Sequence, residues 1–251
     1  MSQSTTSPEH GVPERIDPLK ERQGIVAYHL KKYEFARAHL GGTVLDVACG
    51  VGYGTEFLAS ACDRAIGIEI ADEAVAVARV RYRKDNVWFV QSNAERLPFP
   101  DSSADAVTCF EGIEHFVNPQ AHLGEVARVL KPEGIYFVST PHPGCHAHGE
   151  DNPYHLHEFE PELFQKLLRS CFPDVTMLGQ HRVQTAAHRT AQRIDVLSLR
   201  KLNFLRPLAK RLSRGALKTT PNDEATLDDF VIEPFDDATT EYVAVCRTTP
   251  P

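Results

Sequence analysis

No apolar run in this chain approaches the roughly 18 residues needed to cross a bilayer, and no internal repeat is present. Met1 to Pro8 are rich in serine and threonine, without the basic start or apolar stretch of a secretion signal. Paired cysteines are missing too. Cys49, Cys62, Cys109, Cys145, Cys171 and Cys246 are scattered, with no Cys-x-x-Cys among them. That argues against a disulfide framework or a thiolate zinc site and points to a reducing cytoplasm, with most thiols acting as small buried apolar groups. Nor is there an excess of positive charge. A net charge of −7 and a pI of about 5.9 argue against nucleic acid as a partner.

What is present is enough for one core, since 251 residues with 42% hydrophobic and 24% charged side chains are ordinary for a globular α/β domain. Residues 1–20 read as a disordered tail and 21–251 as one domain. Short β-branched runs alternate with helical patterns, the signature of βαβ units and a parallel sheet. Helices are expected over Gln23–Leu40, after the glycine turn through Ala59, over Asp72–Arg83 with Asp72 as cap, over Pro119–Leu130 and over Glu160–Ser170. Strands are expected at Val44–Ala48, Ala65–Ile70, Val87–Gln91, Asp105–Phe110, Ile135–Ser139, Val175–Leu178 and Tyr242–Cys246. The stretch before the last strand is too long for a bare loop, so residues 181–238 should form a helical insert.

Asp46-Val47-Ala48-Cys49-Gly50-Val51-Gly52-Tyr53-Gly54 lies where the first strand gives way to a helix. Glycines there permit positive φ and a close approach of backbone to ligand. A dinucleotide fingerprint would need glycine or alanine where Thr55 stands, so a nicotinamide cofactor is disfavoured. An aminoacyl group beside the turn fits better, and Glu69, ending the second strand, is placed to accept two ribose hydroxyls. Val44 to Gly54 resembles motif I of the class I S-adenosylmethionine (SAM)-dependent methyltransferases. Ile66 to Glu69, Asn93 to Phe99 (with Asn93 where the family more often has aspartate) and Leu130 to Gly134 resemble its next elements in order.

The resemblance implies a Rossmann-like, doubly wound, mostly parallel seven-stranded sheet with an antiparallel last strand, and SAM as methyl donor. It also implies cofactor contacts from Asp46, Ala48, Gly50, Gly52, Glu69, Ile70, Asn93, Ala94 and Phe110. In similar enzymes the N-terminal helix covers the methionine end of SAM, which adds Tyr28 and Tyr33.

Strand four ends in Phe110-Glu111-Gly112-Ile113-Glu114-His115. If a helical turn starts after Glu111, then Glu111 and Glu114 share a face with His115. A hydroxyl acceptor must lose its proton, and two devices for that stay open. His115 could be the general base. Alternatively, Glu111, Glu114 and His115 could hold Mg2+ against the hydroxyl oxygen. The Glu-x-x-Glu-His run resembles the magnesium motif of ubiquinone-biosynthesis and small-RNA O-methyltransferases, which implies a fourth ligand, His157 in preference to His155. Glu111, Glu114 and His115 are thus the expected catalytic residues.

The loop Thr140–His148 is rich in histidine, but thiolates are not arranged to complete a zinc site. Thr-Pro-loop-Asn-Pro-Tyr-His resembles methyltransferases of glycan and natural-product sugar pathways, so a sugar-like or small-metabolite hydroxyl is the expected acceptor. An RNA 2′-O-methyltransferase and a non-catalytic SAM-binding partner protein are the rivals. From His181 to Lys218 the chain is basic apart from Asp195, and from Asp223 to Glu241 its charges are all acidic. The basic stretch mixes leucine with arginine and lysine, which suits a lid, a homodimer contact or a membrane-surface helix.

Overall fold

A computed structural model describes residues 15–143, 154–183, 222–236 and 239–249. The basic segment from 184 to 221 and residues 144–153 of the histidine-rich loop lie outside these. So do residues 1–14 of the expected tail and the lid, dimer and membrane roles placed on the basic stretch.

The described residues form an eight-stranded sheet in the order β3-β2-β1-β4-β5-β8-β6-β7. The strands are β1 Thr43–Val47, β2 Arg64–Glu69, β3 Val87–Gln91, β4 Ala104–Phe110, β5 Leu130–Pro141, β6 Asp174–Arg182, β7 Phe230–Glu233 and β8 Glu241–Arg247. The first five are parallel, and β8 runs antiparallel to both β5 and β6, as expected of the last strand. The eighth strand is β7, which pairs antiparallel with β6 at the edge inside the stretch assigned to a helical insert.

The helices are α1 Gln23–Arg37, α2 Tyr53–Leu58, α3 Asp72–Arg81, α4 Pro119–Val129 and α5 Pro161–Arg169. Two of them start where local chemistry plainly favours it. In α4 the Asn118 side chain accepts from Ala121 N at 3.0 Å and Pro119 sits in the first turn. Asp72 is inside the first turn of α3 rather than its cap, which is Ala71. There Asp72 and Glu73 face the positive end of the helix dipole, and Arg79 and Arg81 face the negative end. None of the described helices is long and apolar enough to cross a membrane.

Alternation along the central strands feeds two layers. Leu45, Val47, Tyr136 and Val138 pack with Leu123 and Val126 of α4 and Phe164 and Leu168 of α5. Val44, Ala106 and Phe137 pack with Tyr33 and Ala36 of α1 and Leu58 of α2. With both faces covered, strand order reverses between β1 and β4, and ligands of such sheets bind beyond the carboxyl ends of those strands. Cys49, Cys109 and Cys246 are buried with the apolar core, as a small-hydrophobe role requires.

His122 fixes α4 to the sheet edge. Its Nδ1–H donates to the Ala94 carbonyl at 3.0 Å, and the Tyr136 hydroxyl donates to Nε2 at 2.9 Å. Fully buried, it is held neutral, its pKa pushed down by burial to about 4. Because the folded pKa lies below the unfolded value of 6.5, its contribution is complete above about pH 6.5. It is lost as pH falls through about 4 and amounts to about 3 kcal/mol. Urea unfolding of the parent and of His122→Gln should therefore converge in stability by that amount between pH 7 and pH 4. Curves that stay parallel would show that this imidazole charges freely in the folded state.

Candidate functional site

A cavity of about 640 Å³ opens at the carboxyl ends of β1, β2 and β4. Its first end is built by the bend after β1. Ala48, Gly50 and Gly52 all have positive φ, at 57°, 55° and 87°. A Cβ on Gly52 would lie 2.5 Å from the Phe89 ring and 2.8 Å from Ala78 Cβ, so only glycine lets the bend lie against α3. A Cβ on Gly50 would meet nothing within 4 Å, because that side of the bend faces the cavity. Glu69 closes the rim: its Oε2 accepts from Gly50 N at 3.0 Å and its Oε1 from Ala71 N at 3.1 Å.

Of the expected cofactor residues, Ala48, Gly50, Glu69, Ile70, Asn93, Ala94, Phe110 and Tyr33 line this cavity. Asp46 and Gly52 instead build the bend. The Asp46 carboxylate accepts from the Thr55 hydroxyl at 2.7 Å and the Thr108 hydroxyl at 2.8 Å, tying β1 to α2 and β4. Burial pushes its carboxyl up to about 6 in spite of those hydrogen bonds. Tyr28 is turned elsewhere, its hydroxyl 3.0 Å from Thr240 Oγ1 and its ring edge-on to Phe230. The bend, the rim acid and the apolar side chains between them fit an adenosyl group with an aminoacyl tail.

A strap that the sequence did not reveal crosses the same end. Arg15 and Ile16 line the cavity. Arg15 pairs with Glu73 at 2.9 Å, and Arg81 grips the Asp17 carboxylate with both Nη atoms at 2.7 and 3.0 Å.

The second end lies beyond β4. Glu111, with φ 49°, breaks the strand before a 3₁₀ turn over Ile113–His115. This break separates the expected acidic group. The Glu111 carboxylate swings toward α1, where it meets the Lys32 ammonium and accepts from His29 Nδ1 at 2.9 Å. Lys32, with no exposed side-chain surface, also pairs with Glu241 at 2.6 Å. Burial works against its ammonium, but the two carboxylates outweigh it and hold the pKa above the ordinary lysine value. Burial and the charge of Glu111 push Glu241 up to about 7, against the opposing pull of Lys32.

The turn carries Glu114 and His115 toward the segment that begins at Tyr154. His115 Nδ1 donates to the Tyr154 carbonyl at 2.8 Å, and the Glu114 carbonyl accepts from Leu156 N and His157 N at 2.9 and 3.1 Å. Both Glu114 carboxyl oxygens are buried with no hydrogen-bond partner among the described residues. Burial, then the charges of Glu111 and Glu241, push that carboxyl well above the usual carboxylate range.

Of the four expected metal ligands, only Glu114 and His115 come together, and His155 joins them with donor atoms within 4.8 Å. Glu111 is engaged by Lys32 and His29, and His157 Nε2 donates to the Phe116 carbonyl at 2.9 Å. One buried carboxyl and two imidazoles do not make the oxygen-rich ligand set that magnesium takes. His29, Lys32, Tyr53 and Glu241 went unread in the sequence, and His155, ranked there behind His157, is the one that joins Glu114 and His115. One signal was there: His29 is one turn before Tyr33 on the same face of α1.

The family model described as a methyltransferase domain matches residues 45–138, which contain most of the first end of the cavity. A relative from Mycolicibacterium smegmatis, "Probable S-adenosylmethionine-dependent methyltransferase", is 32% identical over 176 residues, 65% of this chain and 67% of its own length. The ubiquinone biosynthesis O-methyltransferase of Xanthomonas oryzae pv. oryzae is 40% identical over 112 residues, 43% of this chain and 47% of that protein. A solved SAM-dependent methyltransferase from Archaeoglobus fulgidus shares the fold, with a TM-score of 0.57 at 17% identity over 90% of this chain and 94% of that one. The chain spans about half to two thirds of the length of the curated relatives it matches.

Proposed function

Since the chain belongs to the SAM-dependent methyltransferases, we propose that it methylates an oxygen of a small amphipathic acceptor. The observation that carries this reading is the continuity of the cavity. One space runs from Gly50, Glu69 and Asn93 to Glu111, Glu114 and His115. At about 640 Å³ it lies within the range of roughly 300–1,000 Å³ typical of small-molecule sites. Bound SAM would supply an activated methyl group on a positively charged sulfur. The protein's part is then alignment and removal of the acceptor's proton at the far end, where His29, Glu111, Glu114 and His115 line the cavity. No step is routed through a metal.

Oxygen as the acceptor atom is supported by the resemblance to the ubiquinone biosynthesis enzyme. The body of the acceptor is suggested by the rim. Val117 is 79% exposed and Leu156 is 55% exposed, and both line the mouth beside Tyr154. A buried polar end under an apolar rim suits a phenol or a hydroxylated acyl chain better than a bare sugar or a glycan, so the metabolite half of the expected acceptor class is favoured.

Isothermal calorimetry should give one SAM site per chain, and labelled SAM should pass its methyl group to phenol and to 3-hydroxyoctanoate. Methyl glucoside should react on the order of 50-fold more slowly in kcat/KM, the equivalent of three methylenes buried at about 0.8 kcal/mol each. SAM binding with transfer to none of the three would favour a non-catalytic SAM-binding role instead.

A further inference from the structure

We propose that His29, oriented by the Glu111 carboxylate, takes the proton from the acceptor hydroxyl, so that the base enters the site from α1. The proposal rests on the O-methylation reading above and names its proton acceptor.

His29 is 5% exposed and lines the cavity. Its Nδ1 lies 2.9 Å from Glu111 Oε1. An ionised carboxylate can only accept, so Nδ1 carries the hydrogen and the lone pair of the neutral ring sits on Nε2. A carboxylate holding an imidazole in one tautomer also stabilises the imidazolium that forms when the ring takes up a proton.

The charges around the ring have a place for that proton. Among the described residues, Glu111 and Glu241 both pair with Lys32. An imidazolium at His29 would lie against the Glu111 carboxylate rather than stand as an isolated buried cation. Burial keeps Tyr28, edge-on to the His29 ring, protonated. His115 lacks this support: its Nδ1 faces the neutral Tyr154 carbonyl rather than a carboxylate.

In the step itself, the acceptor oxygen releases its proton to Nε2 and bonds to the methyl carbon. The carbon–sulfur bond breaks with its electron pair left on sulfur, so the products are the methyl ether, S-adenosylhomocysteine and a proton that His29 later returns to water.

The test uses two phenols, because only one of them needs a base. With phenol as acceptor, His29→Gln should lower kcat by about 10²–10⁴-fold. With 4-nitrophenol, largely ionised at pH 8, it should lower kcat less than tenfold, and the Kd for SAM by calorimetry should stay within about threefold of the parent. His115→Gln should lose less than tenfold on both. Nitrogen-15 NMR of histidine-labelled protein without ligand should show the imidazole that disappears in His29→Gln, or in His29→Asn if the first variant folds poorly, protonated on Nδ1. Equal losses on the two phenols, a loss of SAM affinity that matches the loss of kcat, a reversed pattern between His29 and His115, or a proton on Nε2 would each overturn the proposal. A parent that methylates neither phenol brings down the O-methylation reading and this proposal with it. A working parent beside an unaffected His29→Gln brings down His29 alone.

Discussion

Methionine in place of Lys32 is expected to lower the stability of the protein by about 3–5 kcal/mol at pH 8, the usual cost of removing one partner from a buried ion pair. Lys32 has no exposed side-chain surface and contacts both Glu111 and Glu241, so its loss leaves two buried carboxylates without their ammonium. Their least costly response is to take up protons. Glu241 already sits at about 7 with Lys32 lowering it, and without that cation it must rise further. A carboxyl whose folded pKa is raised contributes most below its unfolded value of 4.5 and loses that contribution as pH rises through the folded value. The gap between Lys32→Met and the parent should therefore be widest at pH 8 and narrow by pH 5. Guanidinium unfolding at the two pH values reads it directly. Adding Glu241→Gln should restore part of the loss, because deleting both partners of a buried pair costs far less than deleting one. A gap below 1 kcal/mol at pH 8, or one that does not change with pH, would mean that the cluster is hydrated rather than buried.

The same cluster explains why α1 lies over the far end of the cavity. Lys32 is tied to residues 79 and 209 positions away, just past the end of β4 and at the start of β8, so the helix is fixed by charge as well as by the packing of Tyr33 and Ala36.

These separations also mark the limit of what the sequence reveals. The parallel strands were readable because each is a short β-branched run between turn residues, and Val87–Gln91 falls where expected. Phe230–Glu233 escaped because four residues among aspartates and a proline carry too little alternation to stand out. The cofactor bend was readable in outline, but adjacency in the chain could not separate Gly50, which faces the cavity, from Asp46 and Gly52, which shape it. The acidic run after β4 misled for a geometric reason. A turn does start after Glu111, as the shared face required, but the left-handed backbone at Glu111 leaves that residue outside it and sends its carboxylate to α1. The Glu111–His29–Lys32–Glu241 cluster draws on three elements far apart in the chain, and no local pattern announces it.

Glu69→Ala should weaken SAM binding on the order of 10²–10⁴-fold, the loss of two hydrogen bonds to a carboxylate at about 1.5–3 kcal/mol each. Its two oxygens are held by Gly50 N and Ala71 N, so the carboxylate stands rigid at the rim, and each oxygen keeps a further lone pair for a ribose hydroxyl. Glu69→Gln should lose nearly as much, because its amide NH₂ would face one of those backbone N–H groups, donor against donor. Loosening of the bend could also cost affinity, and 2′-deoxy-SAM separates the two effects. The parent should bind the deoxy analogue at least tenfold more weakly than SAM, and Glu69→Ala should bind both alike, a coupling of about 1.4 kcal/mol or more in a double cycle. If Glu69→Ala keeps its preference for the intact ribose, the acid serves only to hold Gly50 and Ala71, and the hydroxyls are recognised by some other group.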